Sequence, residues 1–511
     1  MNQLIPLYII LPLAAGLTIP VISRFWKGYA RVITPLIFLS LTVFTMYFLL
    51  KGEITRLTYY VGGWEPVNNV NIGIALVIDN LSLFILLIIN LIGFAASLYS
   101  VDYIRKFTAE ANFYTLFCMM VTGMNGVAIT GDIFNLFVFL EISVISAYAL
   151  VAFGVEREEL EASFKYQVLG GMASLLIIFG IGMLYWFTGS LNIADIRTLI
   201  STSVDARVIV FIQAIFIAGF GLKAAMIPFH SWLPDAHSSA PSPISAMLSG
   251  VLIKAIGVYV LVRLFFNMFA VSHEIAVAIT TIGTLSMIIG VLLAIGQWDI
   301  KRLLAYHSIS QMGYVFLGVG IGMLVISTGG SRIVAALSIM GGLYHLINHA
   351  IFKGLLFLTA GSVEHRLGTR NLKEMGGLSR QMPLTATTNF SASMAISGIP
   401  PFNGFFSKLI IIIAAVQAQY YLLAFLAVFV SVVTLASFMK VQKYAFFNDV
   451  KKTLSGTLRE APFFMSFSMV LLAILCLALS ALGLPGLREI FLDPTVNVLL
   501  DGNDFPQAVL P

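Results

Sequence analysis

Apolar residues come in runs about as long as a bilayer is thick, one after another along nearly the whole chain, with polar residues gathered in short breaks between them. A membrane-crossing helix needs about 20 apolar residues. Fourteen runs meet that need, near 3–22, 30–50, 74–100, 112–130, 132–153, 163–188, 207–230, 241–268, 274–297, 301–326, 331–362, 383–417, 419–445 and 462–484. The pattern predicts an all-α polytopic membrane protein of about fourteen transmembrane helices, with no separate soluble domain. No basic stretch precedes the first run, so it reads as a spanning helix and not as a cleaved signal. The runs at 331–362 and 383–417 exceed one simple crossing and contain Gly or Pro, which predicts broken or tilted helices there. The stretch after Leu484 is mixed in character and too short to span.

Composition agrees. The 511 residues are 59% hydrophobic and only 10% charged, with a mean hydropathy of +0.96, whereas a soluble domain carries about 25% charged residues. The chain is therefore expected to be a multi-pass protein of the cell (inner) membrane, surrounded by lipid. Its net charge of +5 is no nucleic-acid signal, because most Lys and Arg sit in loops, where membrane orientation accounts for them. Cys118 and Cys476 lie far apart in apolar runs, so no iron–sulfur cluster and no redox chemistry are read into this chain.

With fourteen spans, the odd-numbered loops hold most of the basic residues, among them Arg24, Lys27, Lys106, Arg302, Arg370, Lys443, Lys451 and Lys452. The even loops and the tail hold Lys51, Arg56, Arg197, Arg207, Arg332 and Arg488. Basic loops stay on the cytoplasmic side, so both termini are expected outside. Helices four to eight and nine to thirteen each form a set of five whose fourth member contains prolines and a lysine, Lys223 ahead of Pro228 and Lys408 behind Pro400 and Pro401. Sets of odd number must be inverted relative to each other, and paired broken helices point to sites near the midplane. The expectation is two inverted five-helix repeats with helices 7 and 12 broken. The domains are helices 1–3 in 1–111, the first repeat in 112–270, the second in 271–445, and helix 14 with the tail in 446–511.

Ionisable residues inside the spans carry the candidate chemistry. Glu141 lies nine residues after Asp132, about 14 Å along a helix and so close to the middle of a ~30 Å core. It is either a protonated carboxyl bonded to a neighbouring helix or a carboxylate held ionised by a cation. Lys223 and Lys254, in FGLKAAMIPFHSWLPDAHSSAPSPISAMLSGVLIK, are its natural partners. An unpaired charge at this depth costs about 2.5–3.5 kcal/mol on insertion scales. A lysine caught between burial, which favours its neutral form, and a carboxylate, which favours its charged form, gains or loses a proton when one neighbour moves. Snorkelling to the interface is an open alternative for Lys223 and a hard one for Lys254, well inside its span.

His307, in KRLLAYHSISQMGY, suits a proton relay or a packing role. His345, His349 and Lys353 fall at i, i+4 and i+8 and share one helix face. A His pair at that spacing can bind metal, but a cation beside it and the missing glutamate of HExxH favour a proton path. Lys408 follows a Pro-Pro-Phe-Asn-Gly break whose freed carbonyls, with Asn403, could hold water beside Ser407. The run Glu156, Arg157, Glu158, Glu159 and Glu161 reads as solvated loop. Asp235 and His237 read as loop-structuring residues that could sit at a mouth.

Taken together, these segments resemble the antiporter-like membrane subunit family. It comprises the large proton-channel subunits of respiratory complex I, two large subunits of Mrp-type Na⁺/H⁺ antiporters, and counterparts in membrane-bound hydrogenases. The similarity covers roughly 75–445 and is carried by GLKAAMIPFHSWLPDAHSSAPSPISAMLSGVLIK, LLAYHSISQMGY, GGLYHLINHAIFKGLLFL and SGIPPFNGFFSK. The resemblance implies a fourteen-helix fold of two inverted repeats, with Glu141 as the carboxylate on helix 5 and Lys223 as its partner on broken helix 7. It implies Lys254 as the central lysine on helix 8. His307, His345, His349 and Lys353 match the polar axis joining the half-channels, and Lys408 the terminal position on broken helix 12. A lysine at 408, where one complex I member has a carboxylate, and a chain that stops soon after helix 14 favour the D-type member of the Mrp antiporters or its counterpart in a hydrogenase-like complex.

The function this implies is proton translocation within a multi-subunit ion-pumping complex, along a midplane axis of Glu, Lys, His and water. The partners implied are small Mrp-like subunits, or a hydrogenase or quinone-oxidoreductase module. No cofactor or metal is expected in this chain, and Na⁺ coupling in the complex stays open. The nearest alternative is a pumping subunit of a complex I-type NADH-quinone oxidoreductase or a membrane-bound hydrogenase. A solitary transporter of an organic solute would instead show a substrate pocket, a quinone- or haem-binding subunit would need ligands absent here, and a structural scaffold would not need so many buried charges.

Overall fold

Only a backbone that satisfies its own hydrogen bonds survives in lipid, and the apolar runs accordingly fold as helices. The computed structural model describes residues 2–52, 56–66, 71, 73–449 and 459–502; Lys451 and Lys452 lie outside them. In order come α1 (Leu7–Ile22), α2 (Tyr29–Lys51), α3 (Asn80–Tyr103), α4 (Glu110–Ile129), α5 (Ile133–Val151), α6 (Arg157–Thr188) and the short α7 (Ile193–Ser203). Next are α8 (Ala206–Lys223), α9 (Trp232–Ser239), α10 (Ser242–Met268), α11 (His273–Ile295), α12 (Ile300–Ser327) and α13 (Arg332–Leu367). The chain continues through α14 (Pro383–Ser397), α15 (Asn403–Gln417), α16 (Tyr421–Phe447), α17 (Phe463–Ala478), α18 (Pro485–Phe491) and α19 (Asp493–Leu500). Among the described residues, thirteen helices are long and apolar enough to cross a membrane. The remaining predicted span, 383–417, is divided between the two shorter helices α14 and α15.

Three boundaries differ from the sequence pattern. The predicted third span starts late, because Ala75–Ile78 is a strand, β2, paired antiparallel with β1 (Leu57–Tyr60). Its β-branched and apolar residues are buried like those of a helix, so hydropathy cannot tell the two apart. The helix of the predicted seventh span, 207–230, ends at Lys223; 224–230 is turn and irregular chain, and α9 begins beyond it at Trp232. The run at 331–362 is unbroken: α13 is one helix of 36 residues. Its glycines serve approach and not interruption, since a Cβ on Gly342 would lie 2.9 Å from the Val315 carbonyl of α12.

Helices α3, α10, α12 and α13 are almost wholly buried. Around them α1, α2, α6, α16 and α17 turn large apolar side chains outward, such as Leu17, Trp186 and Leu422. Lys223, Lys254, Lys353 and Lys408 accordingly sit in the interior. Two backbone knots tie the helices at their ends. The amide of Ile133 bonds the Leu191 carbonyl and that of Ile193 the Gly131 carbonyl, both at 2.9 Å. Likewise the amide of Ile300 bonds the Arg370 carbonyl at 3.0 Å and that of Leu372 the Trp298 carbonyl at 2.9 Å. In each knot an aspartate, Asp132 or Asp299, caps the following helix.

Candidate functional site

Asp132 starts α5 by accepting the Asn135 amide at 2.7 Å, as an N-cap should, and Glu141 then lies two and a half turns further in. Its carboxylate meets Lys223 at the end of α8, with Nζ 3.5 Å from Oε1. A serine on α6 joins them: Ser174 Oγ donates to Glu141 Oε1 at 2.5 Å and accepts from Lys223 Nζ at 2.9 Å. The Lys223 side chain is 1% exposed and that of Glu141 27%. The pair thus closes one wall of the interior, with the carboxylate on the outer side. The helix stops at Lys223 without stranding its backbone. The indole of Trp232 bonds the freed Leu222 carbonyl at 3.0 Å, and the Ile227 amide bonds Ser286 Oγ at 3.0 Å.

Lys254, expected as a second partner of Glu141, stands apart from it. It lies where α10 loosens into wide π turns over Leu248–Leu252, Lys254–Tyr259 and Leu264–Met268. Such turns are rare and gather at functional sites. Lys254 Nζ donates to the Ser249 carbonyl at 2.5 Å, and Ser249 Oγ lies 2.7 Å from Ser308 Oγ on α12. Among the described residues no carboxylate is within ion-pair distance of Lys254. His237 on α9 is fully buried, with neither ring nitrogen partnered. Its ring lies 6.2 Å from Trp232 and 5.8 Å from Phe357. It belongs to the interior, and the loop-structuring reading is corrected. Asp235 does sit at a mouth, bonded to Lys165 at 3.0 Å and Arg302 at 2.8 Å.

The mouth itself consists of two cavities, of about 300 and 360 Å³, over the Ser238–Pro241 turn. Glu156, Glu158, Glu159 and Glu161 line them, so this acidic run frames an opening and is not bare loop. Beneath the opening, Lys301 bonds Glu364 at 3.1 Å and the Ala240 carbonyl at 2.9 Å.

Further in, α12 and α13 face each other along a polar seam. His307 Nε2 lies 2.8 Å from Ser437 Oγ. His345 is held from both sides, Nδ1 at 2.9 Å from Ser407 Oγ and Nε2 at 3.2 Å from Gln311 Oε1. One turn on, the His349 ring is 6.5 Å from that of His345 and has no partner at either nitrogen. Lys353, one turn further, donates to the Leu304 carbonyl. Lys254 and Lys353 both lie within electrostatic reach of His237 and His349. Among the described residues no three His, Cys, Asp or Glu side chains come together as a metal site would require.

At the far end Lys408 reaches back across the break between α14 and α15. Its Nζ donates to the Ile396 carbonyl at 2.8 Å and to Ser431 Oγ at 3.0 Å, and lies 4.7 Å from the centre of the Tyr314 ring. Buried polar groups normally find partners, yet the Asn403 side chain has none at either end. The structure therefore brings Glu141 and Lys223 into one cluster and sets the other candidates within the interior. Of the serines that hold them, Ser407 is legible beside the break before Lys408, whereas Ser174, Ser431 and Ser437 escaped the sequence reading, because a hydroxyl in an apolar helix can bond its own backbone and gives no distinctive signal.

Residues 130–434 match the family described as NADH:quinone oxidoreductase/Mrp antiporter, TM, and residues 64–114 match NADH-Ubiquinone oxidoreductase (complex I), chain 5 N-terminus. The chain is 33% identical over 464 residues to the N-type subunit of the NADH-quinone oxidoreductase of Desulforudis audaxviator, covering 90% of this chain and 88% of the relative. It is 33% identical over 457 residues to the D-type subunit of the Na(+)/H(+) antiporter of Alkalihalophilus pseudofirmus, covering 89% of each. A chain of the Mrp complex from Dietzia sp. superposes with a TM-score of 0.87 at 26% identity, over 100% of this chain and 99% of that one.

Proposed function

The chain belongs to the NADH:quinone oxidoreductase/Mrp antiporter membrane family, and on that footing we propose that it is a proton-translocating subunit of a multi-subunit ion-pumping complex, of the D type found in Mrp antiporters. One observation carries the reading: a carboxylate and a lysine meet at a helix break inside a membrane bundle, at 3.5 Å. Protons pass from the mouth over Ser238–Pro241 toward Lys254 and Lys223. They cross by His307, His345, His349 and Lys353 with water, and leave near Lys408. Parting Glu141 from Lys223 removes the charge that holds the ammonium, so the proton moves on. Moving one charge against 100 mV takes about 2.3 kcal/mol, so parting the pair must lower the lysine's proton affinity about fiftyfold.

The same reading makes 112–270 and 271–445 two inverted repeats, with 1–111 and 446–511 flanking them. The two backbone knots support it. Each joins the residue before the second helix of a set to the loop after the third, through the same reciprocal pair of bonds. A matching serine follows eleven residues after each aspartate, Ser143 bonding the Met120 carbonyl at 2.9 Å and Ser310 the Met287 carbonyl at 2.8 Å. Both termini face outside. Na⁺ coupling belongs to the complex. The equal identity to a quinone-oxidoreductase component supports a second reading, in which a redox module drives the same axis.

Vesicles bearing the intact complex test the proposal. Glu141→Ala and Lys254→Ala are expected to abolish coupled proton transport while assembly is unchanged. Wild-type transport in either would overturn it, and activity of the purified chain alone would favour a solitary transporter.

A further inference from the structure

Between Glu141 and Lys223 the direct separation of 3.5 Å is long for proton transfer. The two shorter legs both pass through Ser174, at 2.9 Å from the lysine and 2.5 Å from the carboxylate. A hydroxyl is one donor and two acceptors at once, and its hydrogen rotates. This one has two places to point: Glu141 Oε1, or the Gly170 carbonyl one turn back at 3.0 Å. The second acceptor is kept close by the helix itself, since Gly170 lies four residues before Ser174 on α6. Gly170 also leaves room for the Tyr148 hydroxyl of α5, which would lie 2.0 Å from a Cβ there.

We infer that Ser174 is the relay through which Lys223 and Glu141 exchange a proton, its hydroxyl turning between Glu141 and the Gly170 carbonyl as the pair closes and opens. This rests on the proposed proton-transfer role of the pair and adds the atom that carries it. In the closed arrangement a neutral Glu141 carboxyl loads the lysine: its O–H bond breaks as the proton goes to Ser174 Oγ, and in the same step the Ser174 O–H bond breaks and its own proton goes to the neutral Lys223 amine. The products are an ammonium, an unchanged serine and a carboxylate, no outside reactant is needed, and parting the pair then sends the proton on. With the hydroxyl turned to Gly170, no hydrogen faces the carboxylate and the path is cut. Ser174 thus allows exchange only while Glu141 is seated.

The test is proton flux in membrane vesicles carrying the intact complex, with assembly checked in parallel. Ser174→Ala removes the relay and little else, and is expected to slow flux about tenfold or more. Ser174→Thr keeps a hydroxyl and is expected to stay near the wild-type rate, which a merely space-filling role would not favour. Ser174→Cys, close to serine in size but a poor hydrogen-bonder, is expected to be slow, and it decides the matter if the alanine variant assembles badly. Glu141→Gln is run beside them. If it is inactive while Ser174→Ala is at wild-type rate, the relay is wrong and the role of the pair stands. If both run at wild-type rate, the role of the pair itself fails. Equal slowing in Ser174→Ala and Ser174→Thr with normal assembly would also overturn the relay.

Discussion

Arg263 grips Asp79 through two hydrogen bonds, Nη1 to Oδ2 at 2.5 Å and Nη2 to Oδ1 at 2.8 Å, with the carboxylate wholly buried. The pair ties the end of α10 to the start of α3. Ser82, Tyr259 and Asn267 complete its hydrogen bonding, and Asn267 reaches on to the Val498 carbonyl of α19. A bidentate, fully bonded pair of this kind fixes geometry more than it adds stability.

Removing one partner leaves the other charge buried alone. Asp79→Asn is expected to destabilise the fold by about 3–5 kcal/mol, read as a lowered melting temperature of the purified complex. A loss within measurement error would show that the pair is solvated.

The same aspartate sets an acid limit. Burial alone would raise the Asp79 carboxyl, but the Arg263 guanidinium and the Ser82 amide outweigh it and hold the carboxyl below its ordinary value. A carboxyl lowered in the fold contributes stability that is complete above its unfolded value of about 3.9 and is lost as pH falls through the folded value. Wild-type stability should therefore have an acid-sensitive component below about pH 4 that Asp79→Asn lacks. An identical acid profile in the two would contradict this.

Gly404 opens α15 so close to α14 that a Cβ there would lie 1.9 Å from the Ala395 carbonyl. Backbone cannot yield as a side chain can, so Gly404→Ala should cost about 3 kcal/mol and shift Lys408 off the Ile396 carbonyl. Transport should fall with it. Gly182→Ala, which meets nothing within 4 Å, is the silent control.

Orientation is open to labelling. Cys118 and Cys476 are buried, so the native chain should resist a membrane-impermeant maleimide. Lys27→Cys should react only from the cytoplasmic side and Glu65→Cys only from outside, both positions being exposed. The reverse pattern would invert the assignment.

Sequence revealed those features whose cost is unavoidable. A charge at the membrane midplane is so expensive that Glu141 and Lys223 implied each other, and prolines at 400 and 401 announced the break before α15. It was silent where the physics is degenerate. The wide turns of α10 leave its hydropathy unchanged, so the loosening beside Lys254 was invisible. Asp79 and Arg263 stand at the ends of apolar runs 184 residues apart, where each passes for an interfacial residue. His237, in a stretch rich in Ser and Pro, resembled turn chemistry, and only tertiary packing buried it. In α13 the glycines suggested a break because their other use, close approach, depends on a neighbour that sequence does not name.

That unbroken α13 divides the labour of the bundle. It is about 54 Å long, enclosed over all but its ends, and cannot flex at its histidines without losing main-chain bonds. His345, His349 and Lys353 are therefore mounted at fixed intervals, as sleepers on a rail. The joints lie elsewhere, at the gap after α8, the loose winding of α10 and the gap before α15, and each has a lysine beside it. Traffic along the rail is set by the points at its sides, so variants that stiffen those joints should govern throughput more than any change of spacing on α13.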